Sequence, residues 1–468
     1  MLNVSNSPGF SEIPKHICEI ATGSSTLAMT KSGLFDTLMR GLRRNRIVRK
    51  ADSFLMNAFL PADILFPQVE SMEKWAVIAC DQFTSDPAYW ERVRKNAEGA
   101  PSTINLILPE AELGTEKEAE HTALINRTMA EYLKENIFRT YPNSFVYVER
   151  TLENGTVRKG LVGMVDLDAY DYSTGSTSAI RATERTVVER IPPRMRVRRD
   201  APIELPHILM LCDDHDKVLI EPIAAKKQGL TKLYDFELME GGNHIAGWLV
   251  DGAEAAAFND RLTEYSANVG KKYADLKGVP MVFAVGDGNH SLATAKSCYE
   301  ELKANHPNED LSNHPARFAL VELENIHDEA QVFEPIHRVV TKCDPKALLA
   351  ALKNEACAEG GFEVKWFIGD ESGTLSLDKK KSQLAVGVLQ GFLDGYLKEH
   401  EGEIDYIHDD DALIALAKQD NAIGFLLPAM EKSQLFRGVI ADGILPRKTF
   451  SMGHSREKRY YLEGRKIK

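Results

Sequence analysis

The chain has few cysteines, no long apolar run and no excess of basic charge. Its six cysteines, Cys18, Cys80, Cys212, Cys298, Cys343 and Cys357, are scattered over 468 residues with no CxxC pair. That argues against a disulfide framework of the small secreted kind and fits reduced, buried thiols. The longest apolar stretches, such as Met281 to Val285 and Ile423 to Leu427, fall far short of the roughly 20 residues a membrane span needs. The formal net charge of -12 argues against gripping nucleic acid mainly by neutralising phosphates, and leaves small anionic ligands open. No GxxxxGKS/T, no HExxH and no close histidine pair occurs, so His327 and Asp328 carry no zinc signature and the chain has no Walker loop.

What is present is an ordinary globular composition, 43% hydrophobic and 27% charged, long enough for two or three cores. The first 50 residues stand apart, with eight Lys or Arg against three Asp or Glu, ending in Arg40-Gly-Leu-Arg-Arg-Asn-Arg-Ile-Val-Arg-Lys50. A secretory signal places its positive charges before the apolar run; here they follow a weakly apolar one. We expect residues 1–55 to be a basic, disordered extension with Met56 as an alternative start. Residues 56–344 are expected to form the main α/β domain, and 345–468 an α/β segment packed on it, in a cytoplasmic protein.

From Met56 the pattern alternates between short apolar runs and helical spacing. Trp75 to Cys80 reads as a strand ending at Asp81, before a helix from Ala88 to Lys95. Ser144 to Arg150 and Gly160 to Asp166 flank Glu153-Asn-Gly155, a hairpin signal. Leu205 to Cys212 and Met281 to Val285 read as strands, and Leu292 to Ala304 as an amphipathic helix. Beyond Pro345 the pattern gives helices over 346–355, 384–400 and 431–442, with strands at 361–368 and 422–427. The fold class is α/β, with α+β as the alternative.

The segment that carries chemistry is Gly286-Asp287-Gly288-Asn289-His290-Ser291, between the 281–285 strand and the 292–304 helix. Such a turn leaves backbone N–H groups unpaired at the helix start and attracts an anion. Gly286 and Gly288 permit positive φ and close ligand approach, and Asn289 and Ser291 are able to cap the helix. His290 offers a donor or a proton shuttle near neutral pH. Asp287 can orient that imidazole, accept a hydroxyl proton or hold a divalent cation. Taken alone the segment also fits an ordinary Asp-Gly turn with Asn or Ser capping.

Four ordered segments sharpen this: Lys74-Trp-Ala-Val-Ile-Ala-Cys-Asp-Gln-Phe-Thr-Ser85, Arg181-Ala-Thr-Glu-Arg-Thr186, Phe283-Ala-Val-Gly-Asp-Gly-Asn-His-Ser-Leu-Ala-Thr-Ala295 and Glu334-Pro-Ile-His-Arg-Val339. Together they resemble the bacterial domain-of-unknown-function family numbered 1015, from about Met56 to the C-terminus. That family is distantly similar to the ParB and sulfiredoxin-like fold, which includes an ADP-using free-serine kinase, and this implies such a core here. Its members often carry Asp-Gly-His-His-Arg at the phosphate-binding turn. Asp287, Gly288 and His290 match that form, while Asn289 replaces the first histidine and Ser291 the arginine. The lost arginine calls for another phosphate-binding cation, with Arg185, Arg338 and Lys448 as candidates.

The resemblance implies phosphoryl transfer or phosphate-ester hydrolysis on a small hydroxylated metabolite, with serine or phosphoserine as the suggested pair and ADP or ATP with magnesium as the cofactors. Asp287 and His290 would act on the phosphate, and Asp81, at another strand end, would be the base or nucleophile. Glu184, His244 and His337 are the candidate substrate contacts. A ParB-like nucleotide-sensing or nucleic-acid-binding module would need a basic stripe beside the turn. A metal-dependent hydrolase or nuclease would need a compact Asp, Glu and His cluster around Asp287.

Overall fold

The computed structural model describes residues 58–468 apart from 79–82, 84, 85, 110, 111, 113, 206 and 454. The expectations for residues 1–55 and for Asp81 therefore lie outside the described residues. Within these limits the chain is an α/β protein built on an eleven-stranded mixed sheet. Its order runs Tyr170–Asp171, Ile180–Ala182, Phe283–Asp287, Leu209–Cys212, Phe318–Asn325, Val157–Asp166, Phe138–Thr151, His244–Val250 and Thr231–Glu237, with two short strands added on Val157–Asp166 and Phe138–Thr151. Phe283–Asp287 runs parallel to Ile180–Ala182 and antiparallel to Leu209–Cys212.

Alternation along the strands explains the layers, because successive side chains leave opposite faces of a sheet. Val146 and Val148 join one core, with Trp90 and Val93 of the Pro87–Ala97 helix and Ile125 and Met129 of Glu118–Lys134. Phe145 and Tyr147 join another, with Phe258 and Leu262 of Gly252–Lys272 and Leu292 and Ala295 of Asn289–Asn305. Near the turn, Phe283 and Val285 belong to this second core, whereas Ala284 faces a third. The third core lies under an antiparallel five-stranded sheet, ordered Glu371–Leu377, Phe362–Ile368, Ile423–Leu426, His337–Thr341 and Glu403–Ile407. The helices Pro345–Glu355, Ala385–Tyr396 and Lys432–Asp442 pack there through Leu348, Leu389 and Phe436.

The hairpin at Asn154-Gly155 closes as its sequence requires. Thr151 pairs with Val157, Gly155 has φ +80°, and the Asn154 side chain accepts from the Thr156 backbone N–H at 2.9 Å. The 75–80 strand does not form as read. Trp75 ends a short helix, Met72–Trp75, capped by Ser71, and within the described part of that run only Val77 is bridged, to Tyr461. A short apolar run reports burial before it reports conformation, and Trp75 to Ile78 are all fully buried.

The last residues of the chain return to the main sheet as a strap. Arg459, buried, pairs with Glu322 of Phe318–Asn325 and with Glu463 at 2.7 Å, and the Tyr234 hydroxyl donates to Glu463 at 2.7 Å. The Trp75 indole donates to the Leu462 carbonyl at 3.0 Å. Removing one partner from a buried ion cluster strands the other charges out of water. Arg459→Ala is thus expected to cost about 3–5 kcal/mol in denaturant unfolding, and a loss below about 1 kcal/mol, as for an exposed pair, would contradict this role for the strap.

Candidate functional site

The turn forms where Phe283–Asp287 leaves the sheet and Asn289–Asn305 begins. Gly288 is the N-cap residue, with φ 78° and ψ 24° in the left-handed region, and it has no side chain with which to cap the helix. This corrects the expected capping role of Asn289 and Ser291. With glycine at the cap they fall at the first and third helical positions, too late to accept from the orphan N–H groups in the usual way. Asn289 Oδ1 is buried without a hydrogen-bond partner, and the Ser291 hydroxyl instead lies 3.3 Å from His207 Nε2. His207 Nδ1 lies 2.7 Å from the Tyr461 hydroxyl, so the strap reaches the turn through a Tyr461–His207–Ser291 chain.

Asp287 accepts from the Gly288 N–H at 2.9 Å, and its other oxygen lies 3.3 Å from Lys458 Nζ. Burial opposes its ionisation, but Lys458, His207 and the Gly288 N–H together hold the carboxyl below the usual carboxylate range. The Val187 N–H donates to His290 Nε2 at 3.1 Å. The Thr183 hydroxyl donates to the Val285 carbonyl at 2.7 Å. Residues 183–187 therefore run alongside the turn.

Glu184 occupies this segment in a telling register. The parallel ladder ends at the pair Ala182–Val285; two residues beyond it Glu184 bridges to Leu445, near enough to the turn for the Asp287 charge to act on its carboxyl. Glu184 accepts from the Thr449 N–H at 3.3 Å. Burial pushes its carboxyl upward, and the Asp287 charge adds to this. The Lys448 and Thr449 backbone N–H groups and the Lys448 ammonium offset the rise only in part. Two neighbouring carboxyls are thus driven apart, Asp287 towards the ionised form and Glu184 towards a proton-binding one.

The remaining candidates separate clearly. Lys448 faces Glu184 and also His408, whose imidazole is pushed down by burial and by the Lys448 and Lys458 charges. Arg338 is fully buried and donates to Gln390 Oε1 at 2.8 Å and to the carbonyls of Ile336, Lys448 and Arg447 at 2.6, 2.9 and 3.1 Å. It is a clamp on the 447–448 loop rather than an anion ligand. Burial lowers its pKa to about 10, so it stays charged at neutral pH. His337 is buried with both ring nitrogens engaged, by Asp410 at 2.7 Å and the Leu427 N–H at 3.1 Å. Arg185 is exposed and makes no side-chain hydrogen bond or ion pair among the described residues. His244 is not brought to the turn: it pairs with Asp235 at 2.6 Å on a strand five places away, a separation of roughly 24 Å at the usual strand spacing.

The site therefore joins Asp287, His290, Glu184 and Lys448 with three residues that sequence reading missed: Lys458, His207 and His408. Among the described residues no group of three His, Cys, Asp or Glu side chains is placed to hold a metal ion. A divalent cation here would rest on Asp287 and on the oxygens of a bound phosphate, the arrangement magnesium commonly adopts.

The chain belongs to the family described as protein of unknown function (DUF1015), which matches residues 63–443. Curated proteins give no match. Among solved structures, a free serine kinase variant in complex with AMP is similar at 12% identity and a TM-score of 0.34, covering 65% of this chain and 91% of that one. SbnI with C-terminal truncation, from Staphylococcus aureus, is similar at 12% identity and a TM-score of 0.31, covering 62% and 82%. A conserved hypothetical protein from Pyrococcus furiosus is similar at 12% identity and 0.30, covering 64% and 90%.

Gly288 tests the geometry of the turn most simply. A side chain there would meet a positive φ, and its Cβ would lie 3.0 Å from Ile208 Cα. Gly288→Ala is expected to cost at least about 1–2 kcal/mol, the penalty of a left-handed non-glycine residue. Chemical unfolding of the variant checks this, and unchanged stability would mean that the turn relaxes freely.

Proposed function

We propose that the protein is a phosphate-handling enzyme, transferring a phosphoryl group to, or removing one from, a small hydroxylated metabolite. The observation that carries this reading is a glycine-led helix N-terminus flanked by two carboxyls held differently, Asp287 by Lys458 at 3.3 Å and Glu184 by the Thr449 N–H at 3.3 Å. The N–H groups of the first turn and the helix field favour an anion. Asp287, ionised and paired with Lys458, holds that ammonium beside the anion or shares a cation with it. Glu184, whose carboxyl is raised, takes the proton as a hydroxyl or water oxygen attacks phosphorus and the bond from phosphorus to its donor breaks. His290 supplies a proton to phosphate or leaving-group oxygen. Asp81, by the family resemblance, is a second carboxylate for the same work.

Serine and phosphoserine, with ADP or ATP and magnesium, are the first compounds to test, and the pair follows from the resemblance of the turn. A nucleotide, when bound, supplies the transferable phosphoryl group; without one, water takes the acceptor's place. Turnover of phosphorylated and hydroxylated metabolites, with and without nucleotide and magnesium, separates kinase from phosphatase. Nucleotide binding with no turnover of any of them would make the protein a binding module.

On the substrate so found, Asp287→Asn and His290→Ala are each expected to lower kcat by roughly a hundredfold or more, as for loss of general acid or base help, with the fold retained. Because Glu184 must be ionised to take a proton, kcat/KM should rise with pH along a limb lying above the ordinary carboxylate value of about 4.3, and Glu184→Gln should abolish that limb. Full activity in the Asp287 and His290 variants, or an unmoved limb in Glu184→Gln, would show that the chemistry lies elsewhere.

A further inference from the structure

The cations around the turn are not equivalent. Arg338 spends its guanidinium on three carbonyls and Gln390. Lys448 is exposed and faces Glu184 and His408. Among the described residues, Lys458 alone places an ammonium in an ion pair with a side chain of the turn itself, 3.3 Å from Asp287 Oδ2. Its side chain is only 13% exposed, and a second proton goes to the Met452 carbonyl at 3.0 Å. An ammonium has three protons, so one donor direction is left for a ligand.

The backbone that carries Lys458 is fixed on both sides: before it, Arg150 donates to the Arg456 carbonyl at 2.7 Å and Arg158 to the Glu457 carbonyl at 2.9 Å. The next residue, Arg459, is locked between Glu322 and Glu463, and Tyr461 N–H donates to the Val77 carbonyl at 2.9 Å. The Tyr461 hydroxyl reaches the turn through His207 and Ser291. A charge held this way loses little freedom when an anion arrives, which is what preorganised binding requires.

We propose that Lys458 is the phosphate-binding cation of this site, reaching across from the C-terminal strap to an anion seated on the Asn289–Asn305 helix start, with Asp287 holding the ammonium in place until the anion binds. This rests on the phosphate reading above. It assigns the charge to a residue beyond the segment matched by the family, and gives Asp287 and Lys458 opposite effects on anion affinity.

The test is calorimetric titration of the full chain with inorganic phosphate at low ionic strength. Lys458→Gln should weaken binding by roughly tenfold or more, as for loss of a charge-assisted hydrogen bond, while Lys458→Arg retains most of it. Asp287→Asn should tighten phosphate binding, because a competing negative charge is gone, even as turnover falls. Thermal unfolding of each variant confirms that it is folded, and the Asp287→Asn result stands on its own if Lys458→Gln does not fold. Wild-type affinity in folded Lys458→Gln, or weaker phosphate binding in folded Asp287→Asn, overturns the assignment of Lys458 while leaving the phosphate site intact. A wild-type protein that binds no phosphate overturns the phosphate reading itself, and this assignment with it.

Discussion

A guanidinium taken out of water must be neutralised where it sits, and Arg459 meets that requirement between Glu322, on a central strand of the main sheet, and Glu463, four residues along its own strap. The constraint reaches well beyond the three charges. It fixes the last residues of the chain against the sheet, and the backbone on either side then has little choice of path. Lys458 is delivered to Asp287, Tyr461 to His207, and the Leu462 carbonyl to the Trp75 indole. A turn assembled near residue 288 is in this way completed by side chains about 170 residues later in the sequence.

The electrostatics of the site follow from that arrangement. Asp287 would be penalised by burial on its own; Lys458 and His207 reverse the balance. Glu184 has backbone N–H groups and the more exposed Lys448 for company, and burial prevails there. Carboxyls of unequal proton affinity side by side are the usual basis for dividing acid and base roles within one site. Arg338 contributes indirectly, since its bonds to the Arg447 and Lys448 carbonyls hold the loop whose N–H groups support Glu184.

How much of this was legible in the sequence depends on how local each feature is. The Asn154-Gly155 hairpin and the helices after Asp86, Pro345 and Glu431 are written in turn residues and apolar spacing, and they form within a few residues of where those signals lie. The glycine-led turn was legible for the same reason, although Gly288 itself, not Asn289 or Ser291, occupies the cap. The strand read at 75–80 failed because burial of Trp75 to Ile78 comes from tertiary contacts, including Tyr461. Lys458, His207 and His408 carry no local signal at all. Arg338, chosen as an anion ligand, is drawn instead to carbonyls that only the folded chain brings near it. His244 echoes the Gly-Asn-His of the turn but begins a strand on the far side of the sheet.

The proposed function stands on a phosphate seated at the start of the Asn289–Asn305 helix. The most direct measurement is a crystal structure of the full chain grown with inorganic phosphate. The account predicts tetrahedral density at the turn, with backbone N–H groups of residues 289–291 and Lys458 Nζ about 3 Å from its oxygens. A well-ordered phosphate bound elsewhere, with the turn filled only by water at saturating phosphate, would contradict it.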